Sequence, residues 1–400
     1  MNGWIDHAVW WHVYPLGFTG GLHGGPGHRF GHLIDWLDYA IELGVNGLQL
    51  GPIFASESHG YDTVDHFRID PRLGDDADFD KLVSAARERG MRVLLDGVFN
   101  HVGRGFQAPP SWFRDSVFEG HGALVELDHD NPEVQGHVVR VMDHWLARGA
   151  SGWRLDAAYA VQPGFWKQTL ARVRAKHPDA WFTGEVIHGD YAAYLRDSTL
   201  DSVSQYELFK AVWSSLNDRN FYELAWALDR HNTILDAGSP LTFVGNHDVT
   251  RIATQLSDFR HLGHALAVLF TTGGVPSIYY GDEQAYRGRK EERFGGDDDI
   301  RPLFPARPGD LSALGWPTYH LHQRLIGIRR RHPWLAHART RPLHLANEAL
   351  ALESSAGDNR LITLLNTGDA AFTFPIDPAG LTPIDGDGRT VPPHSWSILG

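Results

Sequence analysis

The sequence predicts an α/β protein: a (β/α)₈ TIM barrel with a short insertion after its third strand and a small C-terminal antiparallel β-domain. Short apolar, β-rich runs alternate with helical patterns, and eight such runs occur before residue 335. This alternation is typical of parallel sheets with crossover helices. Towards the C-terminus, short strands separated by Gly, Asn and Asp turns replace the helical patterns. Alternation alone also permits an open doubly wound sheet, but eight units fit a barrel better.

The predicted elements follow one another in barrel order. Strands are predicted at 9–18, 45–54, 91–99, 151–157, 180–187, 201–207, 241–248 and 275–281, and helices at 32–44, 76–90, 131–149, 163–177, 219–230 and 259–272. The helix at 131–149 has the clearest ends, because Asn131 suits an N-cap, Pro132 the first turn and Gly149 the end. Residues 101–130 interrupt the alternation of strands and helices and are predicted as a loop-like insertion. We assign residues 1–335 to the barrel and 336–400 to the β-domain.

Composition narrows the class of function. The chain has 36 Lys and Arg against 49 Asp and Glu, a net charge of −13. A nucleic acid partner needs a basic surface, so none is predicted, whereas a neutral substrate is compatible with this charge. The absence of cysteine excludes disulfides and thiolate metal sites. We find no signal peptide pattern and no apolar stretch long enough to span a membrane, so we predict a cytoplasmic protein without a membrane partner.

Charged and polar residues cluster where predicted strands end. In a barrel, the carboxyl ends of the strands meet at one face, and that face carries the active site. The candidates are Asp96, Asn100 and His101 at the third strand, Arg154 and Asp156 at the fourth, Glu185 at the fifth, and Asn246, His247 and Asp248 at the seventh.

The spacing within this set indicates acid–base chemistry. Arg154 and Asp156 lie two residues apart, so their side chains point to the same side of a strand. The guanidinium should keep the pKa of Asp156 low and the carboxylate ionised. Glu185 follows an apolar run, and partial burial near other anions should raise its pKa. One ionised and one protonated carboxyl group, about 5–5.5 Å apart, form the arrangement for retaining glycoside hydrolysis.

Each residue also has a plain structural interpretation. Taken alone, Arg154 with Asp156 is an ion pair, Glu185 a loop acid, and 246–248 a hydrogen-bonded turn. The histidine-rich stretch 23–32 matches no strong ligand spacing, so we predict an exposed loop there and no metal ligand. The joint pattern of acids at three strand ends is what favours a catalytic site.

Six motifs in chain order resemble those of the α-amylase family of glycoside hydrolases. They are HGYDTVDHFRIDPRLG at 59–74, DGVFNH at 96–101, GWRLDAA at 152–158, GEV at 184–186, FVGNHD at 243–248 and GGVPSIYYGDE at 273–283. Any one of them is weak evidence, whereas six in order are specific. The stretch SESHGYDTVDH is most similar to cyclomaltodextrinase and neopullulanase members, which usually carry an N-terminal β-domain; this chain starts directly at its first strand.

The resemblance implies a role for each site residue. Asp156 would be the nucleophile, Glu185 the general acid and then the base, and Asp248 the residue that holds the 2- and 3-hydroxyls of the sugar. The substrate-binding residues that it implies are Tyr61, Asp96, His101, Arg154, His247 and Arg301. Arg154 would orient Asp156, and Tyr61 would stack on the sugar ring.

The chain also departs from the family pattern. Only Asn100 matches a usual calcium ligand, so the family's calcium site is incomplete and no cofactor is predicted. Tyr159 and Ala160 stand where many relatives carry Lys and His, which disfavours a standard long-chain starch amylase. Ser58 and Glu57 stand where members that release single glucoses often carry an Asp, which slightly disfavours that type.

The resemblance therefore implies a retaining hydrolase that cleaves α-glucosidic bonds of maltooligosaccharides, or of related short or cyclic α-glucans, through a covalent β-glycosyl-enzyme. A transglycosylase or glucan isomerase would use the same intermediate with a sugar acceptor. A non-catalytic sugar-binding barrel is disfavoured by the complete set of acids. A metal-dependent barrel hydrolase is disfavoured by the lack of a clustered ligand pattern. The oligomeric state is not predicted.

Overall fold

A closed barrel of eight parallel strands forms the centre of the computed structural model, which describes residues 3–293, 295–378 and 380–400. The strands are Trp10–Val13 (β1), Gly47–Leu50 (β2), Arg92–Gly97 (β3), Gly152–Leu155 (β4), Trp181–Gly184 (β5), Ser202–Val203 (β6), Leu241–Phe243 (β7) and Val275–Tyr279 (β8). They pair in the order β6-β5-β4-β3-β2-β1-β8-β7, and a parallel bridge between Ser204 and Leu241 closes the ring. The predicted barrel is confirmed.

Helices surround this barrel. They span Pro15–Phe18, Phe30–Ile34, Leu37–Leu43, Asp76–Glu88, Pro132–Ala147, Pro163–Arg174, Tyr191–Ser198, Tyr206–Asp218, Tyr222–Leu235, Ile252–Gln255, Leu262–Thr271 and Trp316–Arg331. The helix before β4 begins as its sequence predicts, with Pro132 in its first turn and the Asn131 side chain accepting a hydrogen bond from the Glu133 amide at 2.9 Å. None of the helices in the described ranges has both the length and the apolar character that crossing a bilayer requires.

Several predicted elements differ in their bounds. The first strand ends at Val13 rather than at residue 18, because Pro15 begins a short helix. The helix predicted at 32–44 is two helices, Phe30–Ile34 and Leu37–Leu43. The helix predicted at 219–230 spans Tyr222–Leu235. A helix that was not predicted, Tyr206–Asp218, precedes it and ends where Arg219 adopts a left-handed conformation with φ of 49°.

The predicted loop at 101–130 forms a small antiparallel sheet instead. Its strands are His101–Gly103, Leu124–Leu127 and Phe113–Val117, in that spatial order. Val102 and Leu127 of this sheet form a separate small core with Phe106 and Val134. A second insertion, after β2, is the hairpin formed by Phe54–Ser56 and Thr63–Ile69. The insertion after β3 carries His101, and the hairpin after β2 carries Tyr61.

The C-terminal residues form the antiparallel sheet that the sequence predicts. Its strands are Arg339–Leu345, Ala349–Ala356, Asn359–Asn366, Ser395–Leu399 and Pro383–Asp385, in this spatial order, and Phe372–Thr373 pairs with Thr390–Val391 beside them. Leu350, Leu352 and Leu361 of this sheet belong to the same buried core as the barrel, so the sheet packs directly on the barrel helices. The domain boundary at 335/336 stays a prediction.

Candidate active site

Strands β3 and β4 bring a carboxylate and a guanidinium to the same level of the barrel. Asp96 and Arg154 are register partners in the parallel pair, and both side chains are buried. The Arg154 Nη1 atom donates to both Asp96 carboxylate oxygens at 2.9 Å. Because a buried charge without a partner is costly, this pair fixes the position of the guanidinium.

The same guanidinium joins the two candidate catalytic acids. Arg154 Nη1 donates to Asp156 Oδ1 at 2.7 Å, as the two-residue spacing predicts, and Nη2 contacts Glu185 Oε1 at 2.6 Å. Asp156 and Glu185 are 7% and 8% exposed, so both acids are almost enclosed. The planar, rigid fork of an arginine therefore sets the relative orientation of the two carboxyl groups.

Two further groups hold Glu185. The Ala157 amide donates to Glu185 Oε2 at 2.9 Å, and the Tyr206 hydroxyl donates to Oε1 at 3.1 Å. Ala157 has a φ of 45°, a conformation that costs free energy in a residue other than glycine. The strained turn directly after Asp156 thus aims a backbone donor at Glu185.

Sequence reasoning missed the contribution of Tyr206. It lies inside the strand predicted at 201–207, but β6 ends at Val203 and Tyr206 begins the next helix. Asn246 Nδ2 donates to the Tyr206 hydroxyl at 2.9 Å, which orients that hydroxyl towards Glu185. Its position just beyond a barrel strand is the signal that could have identified it.

The pKa of Asp156 differs from the prediction. Burial raises the pKa of Asp156 to about 6, although Arg154 opposes the shift. Burial also raises the pKa of Glu185, as predicted, and raises that of Asp96 to about 8. The physical reason is that a single guanidinium serves three buried acids, and one cation cannot balance three anions in a dry site.

Asp248, the third acid at the strand ends, is held in its ionised form. Arg301 Nη2 donates to Asp248 Oδ1 at 2.9 Å, and His247 Nε2 lies 2.9 Å from Oδ2. Burial by itself would raise the pKa of Asp248, but His247 and Arg301 hold it well below its usual range. The Asp248 side chain keeps 30% of its surface exposed, so this carboxylate remains accessible to a ligand.

The other predicted ligand-binding side chains lie around these acids. The Tyr61 ring stacks on His247 with centroids 5.3 Å apart, and its hydroxyl donates to Asp96 Oδ2 at 3.1 Å. His101 Nε2 lies 3.9 Å from Asp156 Oδ2 and has no hydrogen-bond partner among the residues that the structure describes. All nine residues named from the sequence are therefore connected to this one site.

The insertion adds a wall that the sequence did not predict. Phe118 stacks on His101 with ring centroids 4.5 Å apart, and the neighbouring Glu119 accepts a hydrogen bond from the Tyr159 hydroxyl at 2.5 Å. The His188 ring contacts the face of Tyr159 edge-on, at a centroid distance of 5.1 Å. Because Phe118 and Glu119 come from the insertion and Tyr159 and His188 follow β4 and β5, three loops meet here.

Asn100, the one residue that matches a usual calcium ligand of the family, contacts a site histidine. Asn100 Nδ2 lies 3.2 Å from His101 Nδ1, so its amide supports the His101 ring. Calcium is bound by six to eight oxygen atoms, and a lone Asn does not supply them. The absence of a calcium requirement stays a prediction.

Two groups of side chains in the described ranges could nevertheless hold a metal ion. They are Asp258, His261 and His394, and His28, Asp75 and Asp78. Their members are separate from the nine site residues. The second group includes one histidine of the stretch that the sequence predicts as an exposed loop, and His28 is indeed exposed.

Fold and site together define a class: barrel proteins with three acids at the carboxyl ends of β4, β5 and β7. The chain belongs to the α-amylase family, since the model of the alpha-amylase catalytic domain matches residues 12–121 and 116–339. The resemblance seen in the motifs is thereby confirmed.

Three known proteins illustrate the similarity. A cyclomaltodextrinase from a Bacillus species is 32% identical over 344 residues, which cover 71% of this chain and 60% of that protein. The cyclic α-maltosyl-(1→6)-maltose hydrolase of Arthrobacter globiformis superimposes with a TM-score of 0.86 at 25% identity, covering 99% of both chains. The Nostoc punctiforme debranching enzyme superimposes with a TM-score of 0.81 at 27% identity, covering 100% of this chain and 99% of that one.

Proposed function

We propose that this protein is a retaining glycoside hydrolase that cleaves α-glucosidic bonds of maltooligosaccharides or of related short or cyclic α-glucans. One observation carries the proposal: Arg154 links Asp156 and Glu185 in a nearly enclosed site. Two carboxyl groups held on either side of one reacting bond are what double displacement requires. Family membership supports the same reaction.

In the first step, Asp156 attacks the anomeric carbon of the sugar. Its Oδ1 atom is occupied by Arg154, which leaves Oδ2 to form the new bond. Glu185 donates its proton to the glycosidic oxygen as the bond between that oxygen and the anomeric carbon breaks. The raised pKa of Glu185 supports this role, because the proton must still be present near neutral pH. The product is a β-glycosyl-enzyme and a free leaving sugar.

In the second step, water replaces the enzyme at the anomeric carbon. Glu185, now ionised, accepts a proton from the water as the water oxygen attacks, and Asp156 leaves as a carboxylate. Two inversions give a product with the α configuration of the substrate. Asp248, kept ionised by Arg301 and His247, would accept hydrogen bonds from sugar hydroxyls and stabilise the positive charge that develops on the ring.

His101 and Tyr61 would bind the sugar whose bond is cleaved. The buried His101 Nε2 has no partner among the described side chains and faces Asp156, so a sugar hydroxyl would satisfy it. The stacked rings of Tyr61 and His247 offer an aromatic surface for the apolar face of a pyranose.

Two features support a short or cyclic substrate. Tyr159, which stands where many family members carry Lys, is bonded to Glu119 of the insertion, so the leaving-group side of the site differs from that of a long-chain starch amylase. Two of the similar proteins are a cyclomaltodextrinase and a cyclic α-maltosyl-(1→6)-maltose hydrolase. Because the chain spans only 60% of the Bacillus cyclomaltodextrinase, the activity and substrate of the whole protein are our proposals. The cytoplasmic location stays a prediction.

The proposal is tested with Asp156→Asn and Glu185→Gln. We expect each to lower kcat on maltotriose and on cyclodextrins by about 10²–10⁴-fold or more, the size of a lost acid–base or nucleophilic group. Asp130→Asn is the control, because Asp130 is an exposed acid paired with Arg114. Wild-type turnover of the Asp156→Asn variant on every α-glucan tested would refute the proposal, provided that its circular dichroism matches the wild type.

A further inference from the structure

Three potential metal ligands meet where the barrel contacts the C-terminal sheet. Asp258 and His261 lie just before the helix Leu262–Thr271, and His394 lies just before the strand Ser395–Leu399. His261 Nε2 is 3.0 Å from His394 Nδ1, and Asp258 Oδ2 is 4.0 Å from the same His394 atom. One ligand atom from each residue lies within 4.8 Å of the other two.

A fourth residue orients one of these histidines. His394 Nε2 lies 2.8 Å from Asp369 Oδ1, so Nε2 carries the ring proton and donates it in a hydrogen bond to the carboxylate, and the Nδ1 lone pair is directed at His261 and Asp258. Metal-binding histidines commonly have this carboxylate contact on the ring nitrogen that does not bind the metal.

The backbone of His394 is also held in an unfavourable conformation. His394 has a φ of 49°, in the left-handed region that a non-glycine residue adopts only at a cost. This conformation and the Asp369 contact together turn Nδ1 inwards, and the His394 side chain is only 7% exposed. Both features orient the Nδ1 atom of His394, which is what a metal ligand requires.

We propose that Asp258, His261 and His394 bind a divalent transition metal ion of the zinc type. Imidazole nitrogens lie about 2.0–2.1 Å from zinc, so two of them 3.0 Å apart are close to the separation that one ion spans. Two histidines and a carboxylate favour Zn²⁺ over Ca²⁺ or Mg²⁺, which prefer oxygen ligands. The ion would connect a barrel helix to the C-terminal sheet.

Arg260 shares one of these ligands. Its side chain donates to both oxygens of Asp258, at distances from 2.6 to 3.0 Å. The Arg260 amide donates to Asp258 Oδ1 as well, at 3.0 Å, so the ion would take Oδ2, the oxygen that faces His394 and that the Arg260 side chain holds. Since Arg260 is largely exposed, its side chain can also move into solvent when the ion binds.

The second group, His28 with Asp75 and Asp78, provides the control. Its two carboxylates already form a capping box: Asp75 accepts from the amides of Ala77 and Asp78, and Asp78 accepts from the Asp75 amide. These bonds satisfy the start of the helix Asp76–Glu88 and account for the contact between the two carboxylates. The group also has a single histidine, His28, whose side chain is 74% exposed, so it lacks the pair of imidazoles that favours Zn²⁺ in the first group.

The test uses the full chain after treatment with EDTA and dialysis. We titrate it with ZnCl₂ by calorimetry and with CoCl₂ by visible absorption, and measure the thermal midpoint with and without ZnCl₂. We expect one ion per chain, a Co²⁺ d–d band and a higher midpoint. Asp369→Asn, at an exposed side chain, should weaken Zn²⁺ affinity about 10–100-fold.

His394→Ala should abolish binding, and His28→Ala should leave it unchanged. Absence of stoichiometric Zn²⁺ binding to the wild type would overturn the proposal. So would equal affinity in the wild type and Asp369→Asn, or loss of binding in His28→Ala. If His394→Ala does not fold, the Zn²⁺ affinity of Asp369→Asn still tests the proposal, because a substitution at this exposed side chain leaves the fold intact. No readout depends on glycosidase activity.

Discussion

The Tyr159 hydroxyl donates a hydrogen bond to Glu119 across the mouth of the site, at 2.5 Å. Tyr159 belongs to the turn after β4, and Glu119 belongs to the insertion after β3, where it adopts a φ of 50°. Burial raises the pKa of Tyr159 above its usual value and Glu119 adds to the shift, so the phenol keeps its proton and acts as the donor. The contact fixes the insertion against the loop that carries Asp156.

We predict that Tyr159→Phe raises KM for maltotriose by about 10-fold with a smaller change in kcat. The lost bond involves a charged acceptor and is worth about 1.5–3 kcal/mol when buried, and partial exposure reduces this value. Steady-state kinetics on maltotriose measures the change. Tyr222→Phe, at an exposed tyrosine, is the matched control.

The double variant tests whether the two residues act through one contact. If they do, Tyr159→Phe with Glu119→Gln is no worse than either single change, because each already breaks the same bond. Additive losses would show that the two side chains contact substrate independently and that the hydrogen bond does not shape the site.

The pH dependence of kcat/KM should be bell-shaped. Asp156 must be ionised to attack, so the rate rises with pH through its pKa of about 6. Glu185 must be protonated to donate, so the rate falls as the pH exceeds its raised pKa. Rates on maltotriose measured from acid to alkaline pH give both limbs.

Glu185→Gln identifies the alkaline limb. With an activated aryl α-glucoside, whose leaving group needs no protonation, we expect the variant to keep the acid limb and lose the alkaline one. An unchanged alkaline limb would assign it to another group and contradict the role of Glu185.

Asn131 links the insertion to the helix Pro132–Ala147. Its Oδ1 atom accepts from the Glu133 amide at 2.9 Å, and its Nδ2 atom donates to the Ser111 carbonyl at 2.8 Å. We predict that Asn131→Ala lowers the free energy of unfolding by about 1 kcal/mol, the usual value of a lost N-cap. Asn131→Asp keeps the cap, so its free energy of unfolding should stay close to that of the wild type. Urea unfolding curves measure both, and equal losses in the two variants would contradict the cap assignment.

The fold and the acids of the site could be predicted because their signals are local. The period of the apolar residues indicates each strand, and a barrel directs every strand end to one face. Asp156 and Glu185 each follow a strand by one residue, so an error of one or two residues in a boundary does not move them away from the site.

The remaining features depend on contacts between distant segments. The sheet of the insertion pairs His101–Gly103 with Leu124–Leu127, and neither short segment carries a strong strand pattern of its own. Burial raises the pKa of Asp156, and Arg154, which opposes this shift, is shared with Asp96 and Glu185 from two other strands; no single motif reveals either fact. His261 and His394 likewise meet only in the folded chain.

The anomeric configuration of the first product tests the central claim most directly. Proton NMR of maltotriose hydrolysis distinguishes α from β reducing ends before mutarotation equilibrates them. A double displacement through Asp156 predicts that the α-anomer of the newly formed reducing end appears first. Initial release of the β-anomer would show a single displacement and contradict the assignment of Asp156 as a nucleophile.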